Sequence, residues 1–133
     1  MSVKSVLILE DDPERVHQFY IDFFRDQLVV VNNANDAIEI LKAKKFDLIC
    51  LDHDLGGEVY ADSESPNTGF QVTKAIPGSL NSDTTVIIHS YNHIAAKRME
   101  MLLVEDELFT GDVYASPFGR WSRASLWRET EPE

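Results

Sequence analysis

Five short runs of apolar residues recur along the chain, and apolar and polar residues do not alternate within them. Strands that are apolar on both faces belong to a parallel sheet that helices cover on both sides. The pattern therefore predicts five buried parallel strands, at residues 6–9, 28–31, 48–51, 86–88 and 113–115.

The segments between these runs carry apolar residues at the i, i+3, i+4, i+7 spacing of an amphipathic helix. Pro13 suits the first turn of one helix, and Asn33 is placed to cap the next. Further helices are expected from about Gly69 to Pro77, over about 92–104, and around 121–127. The positions expected to face the core are Val16, Phe19, Tyr20, Phe23, Ala34, Ala37, Ile38, Leu41, Ala95, Met99, Leu102, Trp121, Ala124 and Trp127.

The alternation of strand and helix predicts an α/β fold with a doubly wound, five-stranded parallel sheet and right-handed crossovers. We expect one domain over residues 1–128 and a polar tail over 129–133. Ligands of such folds bind beyond the carboxyl ends of the strands. The acidic stretch 56–68 is longer than an ordinary βα loop and is a candidate lid or specificity loop.

Composition narrows the classes of partner. The 133 residues include 12 basic and 23 acidic side chains, for a formal net charge of −11. A field of this sign disfavours general coating of nucleic acid and binding to anionic membranes. No signal peptide and no apolar run of membrane-spanning length is evident, so we expect a cytoplasmic protein. The single cysteine, Cys50, is expected to be a buried small apolar residue.

Polar residues with useful chemistry follow four of the five predicted strands. Because the carboxyl ends of parallel strands meet at one edge, these side chains should converge there. Crowded carboxylates repel one another unless some are protonated or a divalent cation neutralises them. An all-oxygen site suits Mg²⁺ or Mn²⁺. The residues in question are Glu10, Asp11, Asp12, Asp52, His53, Asp54, His89, Ser90, Asn92 and Ser116.

Three of these residues have both a chemical and a structural interpretation. His53 lies between two aspartates, where it can serve as an acid, a base or a local positive charge, or simply make a surface hydrogen bond. His89 ends a buried strand, so a packed histidine competes with a catalytic one. Ser90 can donate a hydrogen bond to a phosphoryl oxygen, or only close its strand.

The segments VLILEDDPERV and DLICLD resemble the receiver domains of two-component signalling. The resemblance implies a flavodoxin-like or CheY-like (βα)5 fold with strand order 2-1-3-4-5. It also implies that Glu10 and Asp11 are the acidic pair at the metal and that Asp52 is the phosphoacceptor. Asp54 then contributes its backbone carbonyl to the metal, and Ser90 takes the place of the hydroxyl residue after the fourth strand. Ser116 stands where receivers carry a lysine.

Two further segments, LDHDLGG and HSYNHIAAKRM, resemble a divergent group, the cyclic-phosphate-processing receiver domains. That group joins a DHDLG segment to a later HS-x-N segment and a downstream methionine, here Met99. The resemblance implies action on the phosphate ends of nucleotides or RNA. A departure is His93, which follows Asn92 where a proline is expected.

Two classes of function remain open at this stage. The first is a metal-dependent cyclic phosphodiester hydrolase, with Asp52, His53, His89 and Ser90 as its catalytic residues and Glu10, Asp11, Asp52 and Asp54 at the metal. The second is a signalling module that accepts a phosphoryl group on Asp52, or binds a protein partner without phosphorylation. The partners are accordingly a phosphate-containing small molecule, an RNA end or a signalling protein, and a homodimer is a further option.

Overall fold

A computed structural model describes residues 3–57 and 61–116 and contains one five-stranded sheet. All strand pairs are parallel, and the order across the sheet is β2-β1-β3-β4-β5. The predicted fold class and strand order are therefore confirmed. The strands are β1 (Ser5–Leu9), β2 (Gln27–Val31), β3 (Leu48–Leu51), β4 (Thr85–Ile88) and β5 (Val113–Ala115).

Four helices connect the strands within the described residues, and their caps follow the sequence. They are α1 (Pro13–Asp22), α2 (Ala34–Ala43), α3 (Gly69–Lys74) and α4 (His93–Glu105). Asp12, Asn33 and Asn92 cap α1, α2 and α4 by accepting a hydrogen bond from a backbone N–H in the first turn. The helix predicted around 121–127, the arginines and tryptophans in it, and the 129–133 tail lie outside the described residues.

The sheet buries both of its faces. On one face Leu7, Leu9 and their neighbours pack against α2, α3 and α4. On the other face Val6, Ile8 and Cys50 pack against Phe19 of α1 and against Phe23, which follows that helix directly. Cys50 is fully buried, and burial raises the pKa of its thiol, which agrees with the role predicted for it. Among the described residues, no helix is long and apolar enough to cross a bilayer.

Two positions differ from the predicted core. Tyr20 falls on the helical spacing of Phe19 and Phe23, yet half of it is exposed, because α1 packs through a narrower stripe. In α4 Met99 and Leu103 are fully buried, whereas Leu102 is half-buried and packs at the edge of the same cluster. Spacing alone does not define how wide the buried stripe of a helix is.

Gly69, the first residue of α3, lies directly against the chain that leaves β3. A Cβ atom built on Gly69 would stand 1.9 Å from the carbonyl oxygen of Asp52 and 3.0 Å from the Cα atom of His53. The Gly69 N–H donates to the carbonyl oxygen of His53 at 2.9 Å. Thr68 also forms an isolated antiparallel bridge with Asp54. The absence of a side chain at Gly69 therefore sets how closely α3 approaches the end of β3.

We expect Gly69→Ala to destabilise the protein by about 3 kcal/mol or more, since the added methyl group meets backbone atoms that cannot rotate away. Helix propensity alone would make alanine stabilising at this position by about 1 kcal/mol. Urea denaturation measures the difference. Asn35→Ala, on the exposed side of α2, is the control and should change stability by less than about 0.5 kcal/mol. A Gly69→Ala protein as stable as the wild type would contradict the predicted contact.

Candidate metal centre and phosphate cleft

Three carboxylates meet at the carboxyl edge of the sheet. Glu10 follows β1, Asp11 comes next, and Asp52 follows β3. One oxygen of each lies within 4.8 Å of an oxygen of the other two. The structure thus brings together three of the five acidic residues that the strand ends predict to converge, while Asp12 and Asp54 line the cleft beside them. Carboxylate oxygens at this spacing are the donor set of a hard divalent cation.

A cleft of about 380 Å³ opens beside this group. Ser90 and the side chain of Asn92 lie on its wall, as does Asp54. Neither His53 nor His89 lines the cleft, although both adjoin residues that do. The residues that line it are Asp11, Asp12, Arg15, Asp52, Asp54, Gly57, Ser90, Tyr91 and Asn92.

Glu10 is buried and accepts several hydrogen bonds. Its Oε2 atom accepts from the backbone N–H groups of Asp11 and Asp12, at 3.1 and 3.0 Å. Arg15 donates to both oxygens, from Nε at 3.0 Å and from Nη2 at 3.2 Å. Burial still raises the pKa of Glu10, against the lowering effect of these donors. Direct coordination of an ion by Glu10, as predicted from sequence, would require it to exchange some of these contacts.

Arg15 is the member of the site that sequence analysis missed. It is the third residue of α1, and its Nη2 atom lies 3.6 Å from Oδ2 of Asp52 as well as beside Glu10. A cation in the first turn of a helix is electrostatically unfavourable with respect to the helix dipole. That mismatch is the signal in the sequence: an arginine placed there needs nearby carboxylates to stabilise it.

Asp52 is almost fully buried, with 4% of its surface exposed. Its Oδ1 atom accepts from the backbone N–H of His53 at 2.8 Å. Burial, and then the negative charge of Glu10, raise the pKa of Asp52 to about 7, although Arg15 acts in the opposite direction. The cost of ionising Asp52 therefore comes from its burial and its negative neighbours, and a cation bound beside it would offset that cost.

Asp54 connects three segments around the cleft. Its Oδ1 atom lies 2.6 Å from Nδ1 of His53 and accepts from the N–H of Ala61 at 3.1 Å and from Nδ2 of Asn92 at 3.3 Å. Its carboxylate does not belong to the group formed by Glu10, Asp11 and Asp52. The role inferred from the family concerns the backbone carbonyl of Asp54 and stays a prediction.

His53 is fully buried and bridges the site to the long loop. Its Nδ1 atom faces Asp54, and its Nε2 atom lies 3.0 Å from the hydroxyl oxygen of Ser63, which is also buried. The loop is further attached by the N–H of Gly57, which donates to Asp11 at 3.1 Å. The described parts of the predicted lid are thus tied to the acidic residues themselves.

His89 and Ser90 follow β4 directly and have different surroundings. The His89 ring packs edge-on against Phe19, and its Nδ1 atom lies 3.6 Å from Oε1 of Glu10. Burial, and next the charge of Arg15, lower the pKa of His89 to about 3, so its ring is neutral at physiological pH. Ser90 Oγ instead accepts from the N–H of Asn92 at 3.0 Å, at the wall of the cleft.

Comparison with solved structures shows the receiver fold. The chain is 18% identical to the receiver domain of the sensor histidine kinase PA1611 from Pseudomonas aeruginosa PAO1, which has a magnesium ion coordinated in its active site cleft; the TM-score is 0.61, with 96% and 93% of the two chains covered. It is 16% identical to the response regulator TrrA from Thermotoga maritima in complex with Mg²⁺-BeF, with a TM-score of 0.64 and 96% of each chain covered.

A third solved structure, the Mn²⁺-bound form of the response regulator Rcp1, is 16% identical, with a TM-score of 0.64 and 97% of each chain covered. A search of curated proteins found no match.

Comparison with protein families gives the more specific result. The profile of the cyclic-phosphate processing receiver domain matches residues 6–105, which include both carboxylate-bearing strand ends and the whole of α4. The match covers well over half of the chain, and the fold agrees with it. The chain therefore belongs to the cyclic-phosphate processing receiver domain family.

Proposed function

We propose that the cleft binds a phosphate-bearing ligand beside a divalent cation, and that the chain hydrolyses cyclic phosphate ends of nucleotides or RNA. The observation that carries this proposal is the group formed by Glu10, Asp11 and Asp52, which adjoins a cleft of phosphate-binding size. The family to which the chain belongs supports the class of substrate. Ser90 and Arg15 add hydrogen-bond donors at the same wall.

The donor set fits Mg²⁺ or Mn²⁺ because it consists of oxygen atoms alone. Asp11 and Asp52 are the direct ligands we propose, together with the backbone carbonyl of Asp54. Glu10 adds a third negative charge close to the ion without binding it directly. The relatives solved with magnesium or manganese support this choice of ion. When bound, the ion polarises a phosphoryl oxygen of the substrate.

We assign to Asp52 the reaction at the phosphorus atom, either as the base that activates water or as the nucleophile. One of its oxygens is held by the N–H of His53, and the other lies on the side of Arg15. As a carboxylate beside the attacking water, Asp52 can accept its proton. As the water oxygen bonds to phosphorus, the bond from phosphorus to one ribose oxygen breaks, and that oxygen takes up the proton that Asp52 accepted from the water. In the covalent variant, an Asp52 oxygen attacks phosphorus and expels one ribose oxygen, which takes up a proton from water, and a second water then hydrolyses the aspartyl phosphate.

Ser90 and the two histidines take different parts in the proposal. Because a hydroxyl group both accepts and donates, Ser90 can accept from Asn92 and donate to a phosphoryl oxygen. His53 and His89, predicted from sequence to transfer protons, are both buried behind the cleft wall. We propose that they act through their neighbours, His53 by orienting Asp54 and His89 by packing beside Glu10.

A signalling module is the second candidate function. Asp52 occupies the phosphoacceptor position implied by the resemblance to receivers, and its Oδ2 atom lies on the side of Arg15 in the cleft wall. The partner would then be a signalling protein that transfers a phosphoryl group or reads the modified state. Ser116, at the position of the receiver lysine, weighs against a long-lived aspartyl phosphate because it provides no positive charge.

We expect the protein to hydrolyse adenosine 2′,3′-cyclic phosphate slowly, and only with Mg²⁺ or Mn²⁺ present. Asp52→Asn should lower kcat by about 100-fold or more, because it removes the carboxylate that both binds the ion and reacts. Liquid chromatography of the monophosphate product measures the rate. Asp83→Asn is the matched control, since it makes the same change at an exposed carboxylate paired with Lys45.

Equal rates for the wild type, Asp52→Asn and buffer would remove the hydrolase proposal. A mass gain of one phosphoryl group on incubation with acetyl phosphate and Mg²⁺, absent from Asp52→Asn, would support the signalling module instead.

A second prediction concerns stability. Because the pKa of Asp52 is raised from 3.8 to about 7, its ionised form opposes folding, and this cost appears as pH rises through that interval. We expect Asp52→Asn to be about as stable as the wild type near pH 4. Above that pH the variant should gain relative stability by up to about 1.4 kcal/mol per pH unit, levelling off above pH 7.

Urea denaturation at pH 4 to 8 measures the difference in the free energy of unfolding between Asp52→Asn and the wild type. Saturating Mg²⁺ should reduce this difference at pH 8, because the ion binds the ionised carboxylates. A difference that stays constant from pH 4 to pH 8 would show that the surroundings of Asp52 do not destabilise its ionised form. Asp83→Asn should show no such gain.

A further inference from the structure

Arg15 makes two kinds of contact in the carboxylate group. Its bonds to Glu10 are hydrogen bonds, with Nε at 3.0 Å and Nη2 at 3.2 Å. Its approach to Oδ2 of Asp52, at 3.6 Å, is an ion pair beyond hydrogen-bond length. The guanidinium group is thus fixed to Glu10 and only loosely associated with Asp52.

The loose contact of Arg15 is with Asp52, which is one of the proposed direct ligands of the ion. A cation beside Asp52 repels a second cation that approaches the same carboxylate. The side chain of Arg15 is 28% exposed and lines the cleft, so it also faces any ligand there. Its Cζ atom lies 5.8 Å from the centre of the Tyr91 ring, and its Nε atom lies 3.8 Å from Asp12. These neighbours keep the guanidinium group in the cleft if the contact with Asp52 is given up.

We propose that Arg15 binds the phosphate of the ligand, and that in the absence of a ligand the same guanidinium group competes with the divalent ion for Asp52. This inference rests on the proposed function, because it assumes that both an ion and a phosphate enter the cleft. Guanidinium groups suit this role, since their planar array of N–H donors matches two phosphate oxygens at once. Glu10 serves to hold that array in place.

The proposal requires two effects of opposite sign. Removing the charge of Arg15 should strengthen binding of the ion alone, because a competing cation is lost. The same change should weaken binding of phosphate to the ion-loaded protein, because a donor pair is lost. Removing an arginine that only stabilises the fold would not strengthen ion binding and weaken phosphate binding at the same time.

The experiment compares Arg15→Gln with Arg98→Gln, which removes the same charge from an exposed position on α4. Calorimetric titration with Mn²⁺ should give a dissociation constant about fivefold to tenfold lower for Arg15→Gln than for the wild type. With Mn²⁺ saturating, titration with inorganic phosphate should give a dissociation constant about tenfold higher. Arg98→Gln should stay within about twofold in both, and Arg15→Lys should recover part of the phosphate affinity.

A second measurement uses the wild-type protein and does not depend on the folding of the variant. The Nε–Hε resonance of Arg15, fixed by Glu10, should move on addition of Mg²⁺ and again on addition of phosphate, whereas that of Arg98 should not. If the resonance stays unchanged in both steps, the inference is overturned.

The failures are distinguishable. If the wild type binds Mn²⁺ and Arg15→Gln binds it no more tightly, or if phosphate affinity is unchanged, the inference is overturned while the proposed function stands. If only Arg15→Gln binds Mn²⁺, competition is supported. If neither protein binds Mn²⁺, both the proposed function and the inference are overturned.

Discussion

Repulsion among three carboxylates in a poorly solvated position is the constraint on which the rest of the site depends. Glu10, Asp11 and Asp52 approach one another at the edge of the sheet, where Glu10 and Asp52 have little contact with water. Negative charge in such a place is costly unless hydrogen-bond donors or cations compensate it. Within the described residues, backbone N–H groups and the guanidinium group of Arg15 provide this compensation, yet burial and the charge of Glu10 still raise the pKa of Asp52. Under the proposed function, this remaining negative charge is the source of the affinity for a small cation.

Most of the fold could be predicted from the sequence because its strands are buried on both faces. Uninterrupted apolar runs such as 48–51 leave few alternatives to a covered parallel strand, and this run coincides with β3. Asn33 and Pro13 begin their helices where predicted, because a cap and a first-turn proline act locally. Tyr20 was assigned wrongly because burial at the edge of a helical stripe depends on how the helix tilts against the sheet, which local spacing does not encode.

The site could be predicted only in part, for a different reason. Topology brings strand ends together, so Asp11, Asp52 and Ser90 follow from the order of the strands. Arg15 reaches the same place from within a helix, and its position depends on the orientation of α1. The environment of His53 depends on Ser63, ten residues further along the chain, in a loop whose path no periodic pattern specifies.

The fit of Gly69 against the backbone of Asp52 has a mechanical consequence. With no free space between them, the start of α3 and the end of β3 form one rigid joint. A molecule that pressed on the outer side of α3 would displace the Asp52 main chain as well, and would do so from a surface that the carboxylates never touch. An influence on the Asp52 carboxylate from a distance thus requires no moving loop, because α3 and the end of β3 are in direct backbone contact.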